Sequence, residues 1–305
     1  MTAQIFTTNE GEGKKEEVKM ATSGVIAVDN GGLNTKIFSE GMENPVSISS
    51  RKAYGHNNLR LTKSLGEGAY KIKWNDQYYF FGSLILESDA EMSGYTNTKA
   101  KPFFILSILQ AVALYGYDKN KVITCTPFSR YTDEERGKIE SMLVGEHSIE
   151  INDVEYTFEI TDVLVTSETS PAFFVDMPEG KVRWLDLGSR TVGYSTSHFV
   201  PDEEILDLLD KESNTIEKEG LDINRLHDAS VEKFRQYVDN LSKELNRKWD
   251  EEDYIVVFGG GALNENLMIA LQEVYTNTKI AEDPLHLQVR GMLEIGKAEM
   301  GSDES

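Results

Sequence analysis

The chain has 305 residues, 39% hydrophobic and 10% aromatic, which is enough for a sizeable core in two domains or in one domain split into lobes. Its net charge of −21 disfavours direct binding to nucleic-acid phosphates or an anionic membrane, because both surfaces would repel it. A single cysteine, Cys125, excludes an internal disulfide and a cysteine-rich metal site.

Residues 1–23 have the composition of a disordered extension and carry no signal peptide. Strands are expected from Gly24 to about Ser50. The first strand runs into Asp29, Asn30, Gly31, Gly32, Leu33 and Asn34, and Lys36 lies on the next strand. This sequence suits a plain hairpin turn and equally a turn that holds an anion. The glycines let a ligand approach the backbone, Lys36 adds a cation, and Asp29 can hold magnesium through water.

Residues 51–100 read as a small side subdomain of short strands, with a hairpin around Asn75 and Asp76. Pro102 opens a buried helix that Gly116 ends; the apolar stretch Phe103–Tyr117 is too short to span a bilayer. The expectation is therefore a soluble, cytoplasmic protein. Lys121–Pro127 is a buried strand in which Cys125 reads as a structural thiol. Thr132 and Glu135 have capping-box spacing for a helix to about Val144. Strands are expected near Ser148–Ile151, near Tyr156–Ile160 and from Asp162. The last leads into a turn carrying Glu168, at a strand's carboxyl end, where α/β sheets bind ligands.

Val182–Tyr194 repeats the opening pattern: an apolar strand, Asp186, a turn of Gly188, Ser189 and Arg190, and a second strand. Two halves of related topology would each aim such a turn at a shared cleft. A short helix is expected at Glu203–Lys211 and a long one at Asp228–Asp250. The long helix places Val231, Phe234, Val238, Leu241, Leu245 and Trp249 on one face. Tyr254–Phe258 is a buried strand, followed by Gly259, Gly260, Gly261 and Ala262 and a helix from about Asn264 to Tyr275. Such a glycine turn either brings the backbone to a ligand or only packs helix on strand. A helix at Val289–Gly296 and a polar tail at 298–305 complete the chain.

The units at Asp29, Asp186 and Gly259–Gly261, in this order, resemble the two phosphate loops and the adenosine motif of the actin/Hsp70/sugar-kinase superfamily. The closer resemblance is to the ParM-type bacterial actins that segregate plasmids. It rests on Val28–Gly31 with Asn34 and Lys36; on Cys125–Pro127 with Tyr131; on Ser167–Ala172; on Leu185–Gly188; on Phe258–Ala262; and on Arg290–Met292 with Ile295 and Gly296. These motifs span roughly residues 24 to 297. The resemblance implies an actin-like ATPase fold, with two RNase H-like lobes around a nucleotide cleft. The lobes would be 24–178 and 179–297.

The resemblance also implies roles. Asp29 and Asp186 would hold Mg²⁺ through its water shell, and Lys36 would neutralise phosphate charge. The backbones of Gly31–Leu33, with Asn30 and Asn34 beside them, and of Gly188–Arg190 would cradle the phosphates of ATP or GTP. Glu168 would orient or deprotonate the attacking water, with Asp186 as its catalytic companion. Gly259, Gly260, Gly261 and Ala262 would flank the nucleoside.

Two departures stand out. Ser189 and Arg190 occupy positions where small residues are usual in the family. The segment 197–253, once its long helix is subtracted, is too short for the subdomain that normally caps the second lobe. In this the layout resembles the shortened AlfA type. The function implied is a filament that polymerises with ATP or GTP, hydrolyses it, and moves DNA through a DNA-binding adaptor. The acidic charge favours an adaptor over direct DNA contact. The alternatives are a small-molecule kinase of the same superfamily and a non-hydrolysing actin-like scaffold.

Overall fold

Two sheets, each with helices against it, are joined by one crossing segment and by the last helix of the chain. The computed structural model of the protein describes residues 22–55, 68–85, 98–203, 205–217, 219–221, 226 and 228–301. The expected extension at 1–23 lies almost wholly outside the described residues, as does much of the stretch read as a side subdomain.

The first sheet contains β1 (Ser23–Asn30), β2 (Asn34–Ser39), β3 (Val46–Ser49), β4 (Lys52–Tyr54), β5 (Ala69–Trp74), β6 (Gln77–Gly82), β7 (Lys119–Thr126), β8 (Gly145–Ile151) and β9 (Val154–Ser167). Helices α1 (Pro102–Tyr115) and α2 (Asp133–Leu143) interrupt this run. A short helix, α3 (Phe173–Asp176), lies in the crossing segment. The second sheet contains β10 (Gly180–Leu187), β11 (Thr191–Val200), β12 (Ile205–Leu208), β13 (Asn214–Glu217), β14 (Ile255–Phe258) and β15 (Thr278–Ile280). Helices α4 (Val231–Leu245), α5 (Glu265–Val274) and α6 (Leu287–Met300) follow among the described residues.

The strand order is β3-β2-β1-β7-β9-β8-β5-β6-β4 in the first sheet and β12-β11-β10-β14-β15 in the second, with β13 also paired to β11. In each sheet an antiparallel hairpin is followed by a parallel neighbour: β1 beside β7, and β10 beside β14. The internal repeat read from the two aspartate turns is therefore a repeat of topology.

The alternation within β1 explains its central place. Val25 to Asn30 are all buried. Ile26 and Val28 pack with Leu106, Leu109 and Val112 of α1, while Val25 and Ala27 pack with Val289, Met292 and Leu293 of α6. A strand buried on both faces reads as a near-continuous apolar run, here Val25–Val28, before Asp29 and Asn30 at its end. Thus α6, read from sequence as the end of the second lobe, packs on the first sheet. In the second sheet, Leu185 and Leu187 face α4 and α5 through Phe234, Leu241, Leu245 and Leu267, while Trp184 and Phe258 face Phe173 of the crossing segment.

Two expectations are corrected and a third is met in part. The helix expected at Glu203–Lys211 is a strand, β12, flanked by single 3-10 turns at Pro201–Glu203 and Asp210–Glu212. Its Ile205–Leu208 stretch zips onto β11 from Val200 to Ser197, an edge that outbids a short acidic helix. The strands expected at Tyr156–Ile160 and from Asp162 are one 14-residue strand, β9, carried past an irregularity at Asn120/Lys121 of its partner β7. At Thr132 the cap forms, since the Thr132 hydroxyl accepts from the Glu135 N–H. The Glu135 carboxylate turns to Thr98 and to the Lys99 and Ala100 N–H groups.

The shortened region after β11 closes on a buried arginine. Arg183 of β10 is only 2% exposed. It donates to Asp253 Oδ2 at 2.7 Å, to Thr196 Oγ1 at 2.7 Å, to the Lys248 carbonyl at 3.0 Å and to Glu212. It also stacks over the Trp249 ring at 5.5 Å. One side chain thus fastens β12, β13 and the end of α4 to the sheet. Among the described residues no helix is long and apolar enough to cross a membrane.

Candidate functional site

The two aspartate turns face each other across a cleft of about 650 Å³, within the range of small-molecule sites. Its lining includes Asp29, Asn30, Gly31, Gly32, Leu33, Asn34 and Lys36 from the first turn. Asp186, Gly188, Ser189, Arg190, Glu168 and Gly260 line the rest, so the structure brings together most residues singled out from sequence. Gly259, Gly261 and Ala262 stand behind the wall.

In the first turn, strand register puts Lys36 opposite Asp29, and Lys36 Nζ donates to Asp29 Oδ2 at 3.0 Å. The Gly31 N–H is used within the hairpin, donating to the Asn34 carbonyl at 3.1 Å. Asn30 is pinned too: its amide donates to the Phe104 carbonyl at 3.2 Å and its oxygen accepts from Thr35. These two residues shape the turn that Gly32 and Leu33 present to the cleft.

In the second turn, Arg190 reaches across and donates to the Gly32 carbonyl at 2.9 Å. A side chain on Gly32 would run into Arg190 and Ser189, so glycine there lets the two turns meet. Pairing of Asp186 with Phe258 brings the next residue, Gly259, against the aspartate. A Cβ on Gly259 would overlap Asp186 Oδ1, and its φ of +83° is one that side chains avoid. The first glycine of the triplet therefore makes room for a carboxylate, and only Gly260 reaches the cleft.

Glu168 is presented by an unusual backbone. Thr169 has φ +73°, an outlier for a β-branched residue. Its N–H donates to Gln288 Oε1 at 3.2 Å, and its hydroxyl to the Glu168 carbonyl at 2.6 Å. The Glu168 carboxylate pairs with Lys99 Nζ at 2.8 Å. Lys99 Nζ also lies 3.7 Å from Cys125 Sγ, and that thiol donates to Asp29 Oδ1 at 3.4 Å. A continuous buried chain therefore runs Lys36–Asp29–Cys125–Lys99–Glu168.

The electrostatics follow from burial against these pairs. Burial alone would raise the pKa of Asp29, but Lys36, Lys99 and the hydrogen bonds from Lys36 and Cys125 outweigh it and hold the carboxyl below its usual range. Burial would lower Lys36 and Lys99, yet the neighbouring anionic groups hold both above the ordinary lysine value. Burial pushes the Cys125 thiol well up, which fits its reading as a structural thiol. Asp186 forms no comparable ion pair among the described residues, and burial raises it to about 7 against the attraction of Lys36.

Sequence reasoning missed Lys99, Phe104, Pro127, Glu217, Leu285 and Gln288, which also line the cleft. Lys99 sits before a helix with no periodic context to mark it. Gln288 left a signal: it is a polar residue on the buried stripe of α6, between Leu287 and Val289 and four residues before Met292.

Residues 27–169 match the family model described as "Actin like proteins N terminal domain". The fold is that of an actin-like protein. A 15-stranded ParM filament from Clostridium botulinum matches at TM-score 0.74 and 17% identity, covering 91% of this chain and 100% of that one. An AlfA filament bound to AMPPNP matches at TM-score 0.68 and 18% identity, with 93% and 100% covered. Apo pSK41 ParM matches at TM-score 0.67 and 20% identity, with 91% and 98% covered. No curated protein sequence matches the chain. The resemblance to ParM-type actins drawn from short motifs is thus borne out in the actin-like fold.

The residues of this actin-like cleft suit a magnesium nucleotide. Magnesium keeps most of its waters and takes one or two carboxylates, and the facing Asp29 and Asp186 offer that donor set. Among the described residues no group of three metal-ligating side chains forms a dehydrated cage.

Proposed function

We propose that this protein binds ATP or GTP with Mg²⁺ in the cleft, polymerises into filaments, hydrolyses the nucleotide, and moves DNA through a DNA-binding adaptor. The observation that carries this reading is the pair of topologically equivalent hairpins, with Asp29 and Asp186, facing one another beside Glu168. Asp29 and Asp186 would hold the hydrated metal, which would supply charge neutralisation at the phosphates. Lys36 and Arg190 meet phosphate oxygens, and the Gly32–Leu33 and Gly188–Ser189 backbones approach them closely. Glu168 orients the attacking water by accepting a hydrogen bond from its O–H, with Lys99 fixing the carboxylate. Gly260 flanks the nucleoside, with Leu285 beside it.

The filament step is supported by the company the fold keeps, since the solved ParM, AlfA and Alp12 neighbours include filaments. The charge of −21 suits a basic adaptor better than bare DNA. The test is electron microscopy and pelleting of the full chain with Mg²⁺ and ATP, GTP or ADP. Triphosphate-dependent polymer is expected. Nucleotide turnover with no polymer under any nucleotide would overturn the filament reading in favour of a small-molecule kinase. Polymer with no phosphate release would favour the non-hydrolysing scaffold.

A further inference from the structure

We infer that Gln288 reads the terminal phosphate of the bound nucleotide, an inference that rests on the nucleotide reading of the cleft. Gln288 lies in the first turn of α6 and is only 2% exposed, yet it lines the cleft. Its amide orientation is set by chemistry. The Thr169 N–H is a donor, so the atom facing it at 3.2 Å is the oxygen, Oε1. Nε2 is thereby turned to the other side, where it is buried and has no acceptor among the described residues. A buried amide with two unused N–H groups is costly unless an acceptor arrives.

The position identifies the acceptor. Thr169 follows Glu168, and Gly193 opposite Asp186 lies so close to Thr169 that a Cβ there would meet the Thr169 methyl at 2.7 Å. Gln288 is thus attached, through Thr169, to the part of the cleft that holds Glu168 and Asp186. The group needed is an anion with oxygen acceptors, and the N-terminal turn of the 14-residue α6 adds a favourable dipole for it. A terminal phosphoryl oxygen, placed beside Glu168 in the proposed reading of the cleft, meets both requirements. Because α6 packs on the first sheet while Gly291 abuts the carbonyl of Pro171 in the crossing segment, an acceptor at Gln288 is felt at the junction of the two sheets.

The test compares an imido triphosphate analogue with the diphosphate, both with Mg²⁺, by calorimetry on the full chain. Gln288→Glu retains the oxygen that accepts from Thr169 and replaces the donor by an acceptor. Gln288→Met removes the amide without adding charge. Both variants should weaken the triphosphate analogue by about tenfold or more, and the diphosphate by less than about threefold. Diphosphate affinity kept within about threefold in Gln288→Met, which buries no new charge, shows that the fold and the cleft are intact. Equal loss for both nucleotides, or no loss for either, overturns the assignment and leaves the nucleotide reading standing. If the wild type binds neither nucleotide, the reading of the cleft fails and takes Gln288 with it.

Discussion

Gly259 and Gly260 are adjacent, yet the structure assigns them opposite consequences. Gly259 has φ +83° and ψ 175°, a region open in practice only to glycine. An alanine there carries about 1–3 kcal/mol of backbone strain. Its Cβ also overlaps Asp186 Oδ1, and Leu187 N and O stand at 3.1 and 3.0 Å, so the methyl has no room to relax. Gly259→Ala should therefore destabilise the protein by about 2–4 kcal/mol, strain and overpacking together. It should also push the Asp186 carboxylate from its place and weaken magnesium-dependent nucleotide binding. Gly260→Ala meets nothing within 4 Å. It should leave stability unchanged or raise it by up to about 1 kcal/mol, by narrowing the unfolded ensemble. Its penalty should fall on nucleotide affinity alone. Urea denaturation of both variants without ligand, followed by nucleotide titration, separates the cases. If Gly259→Ala unfolds within about 0.5 kcal/mol of Gly260→Ala, the packing of Asp186 against Gly259 is not what the structure shows.

Replacing Lys99 with Met strands the buried Glu168 carboxylate and removes a cation from beside Asp29; a loss of about 3 kcal/mol in chemical denaturation is expected, with slower phosphate release. Asp186, raised to about 7 by burial, must lose its proton to hold a cation, so magnesium-dependent affinity should fall about tenfold per unit below pH 7 and level off above it. In the unliganded protein the same raised pKa contributes stability that is fully present below about pH 4, is lost progressively up to pH 7, and is level above it; Asp186→Asn should flatten both dependences in titration and melting. Arg183→Met leaves the 20%-exposed Asp253 carboxylate without its partner and should cost about 3 kcal/mol by urea midpoint. Arg183→Lys should rescue little, because one ammonium cannot reach Asp253, Thr196 and the Lys248 carbonyl together.

What was legible from sequence is what strand periodicity and turn chemistry encode locally. The two hairpins at Asp29 and Asp186 were readable because apolar strand, aspartate and glycine turn are contiguous. The edge strand β12 was not, because an acidic stretch such as Asp202–Lys211 has no strong preference of its own and takes its form from the open edge of β11. Lys99 and Gln288 join the cleft by tertiary contact, one from the approach to α1 and the other from a helix more than a hundred residues after Glu168. Gly259 was legible as a glycine that matters, and misassigned. The triplet looks alike in sequence, but strand register decides which glycine lines the cleft and which meets Asp186.

The cations that phosphates would need are already engaged, and this makes nucleotide binding an exchange. Lys36 holds Asp29, and Arg190 holds the Gly32 carbonyl. If phosphate draws Lys36 away, the nine-tenths-buried Asp29 loses its direct ammonium partner and keeps only the Cys125 thiol and the more distant Lys99, at a cost of about 3 kcal/mol. Asp29 would then be compensated by hydrated magnesium bound with the phosphates, whose charge would stand in for the lost ammonium. Nucleotide affinity should therefore collapse on chelation of the metal, by about a hundredfold or more. Asp29→Asn leaves no charge to strand and frees Lys36. Its affinity with metal should fall, while its affinity in chelator should equal or exceed that of the wild type. Titration of both proteins with and without chelator measures the ratio directly. If the wild type and Asp29→Asn lose the same factor on chelation, the Lys36–Asp29 pair does not couple phosphate binding to the metal, and the exchange is refuted.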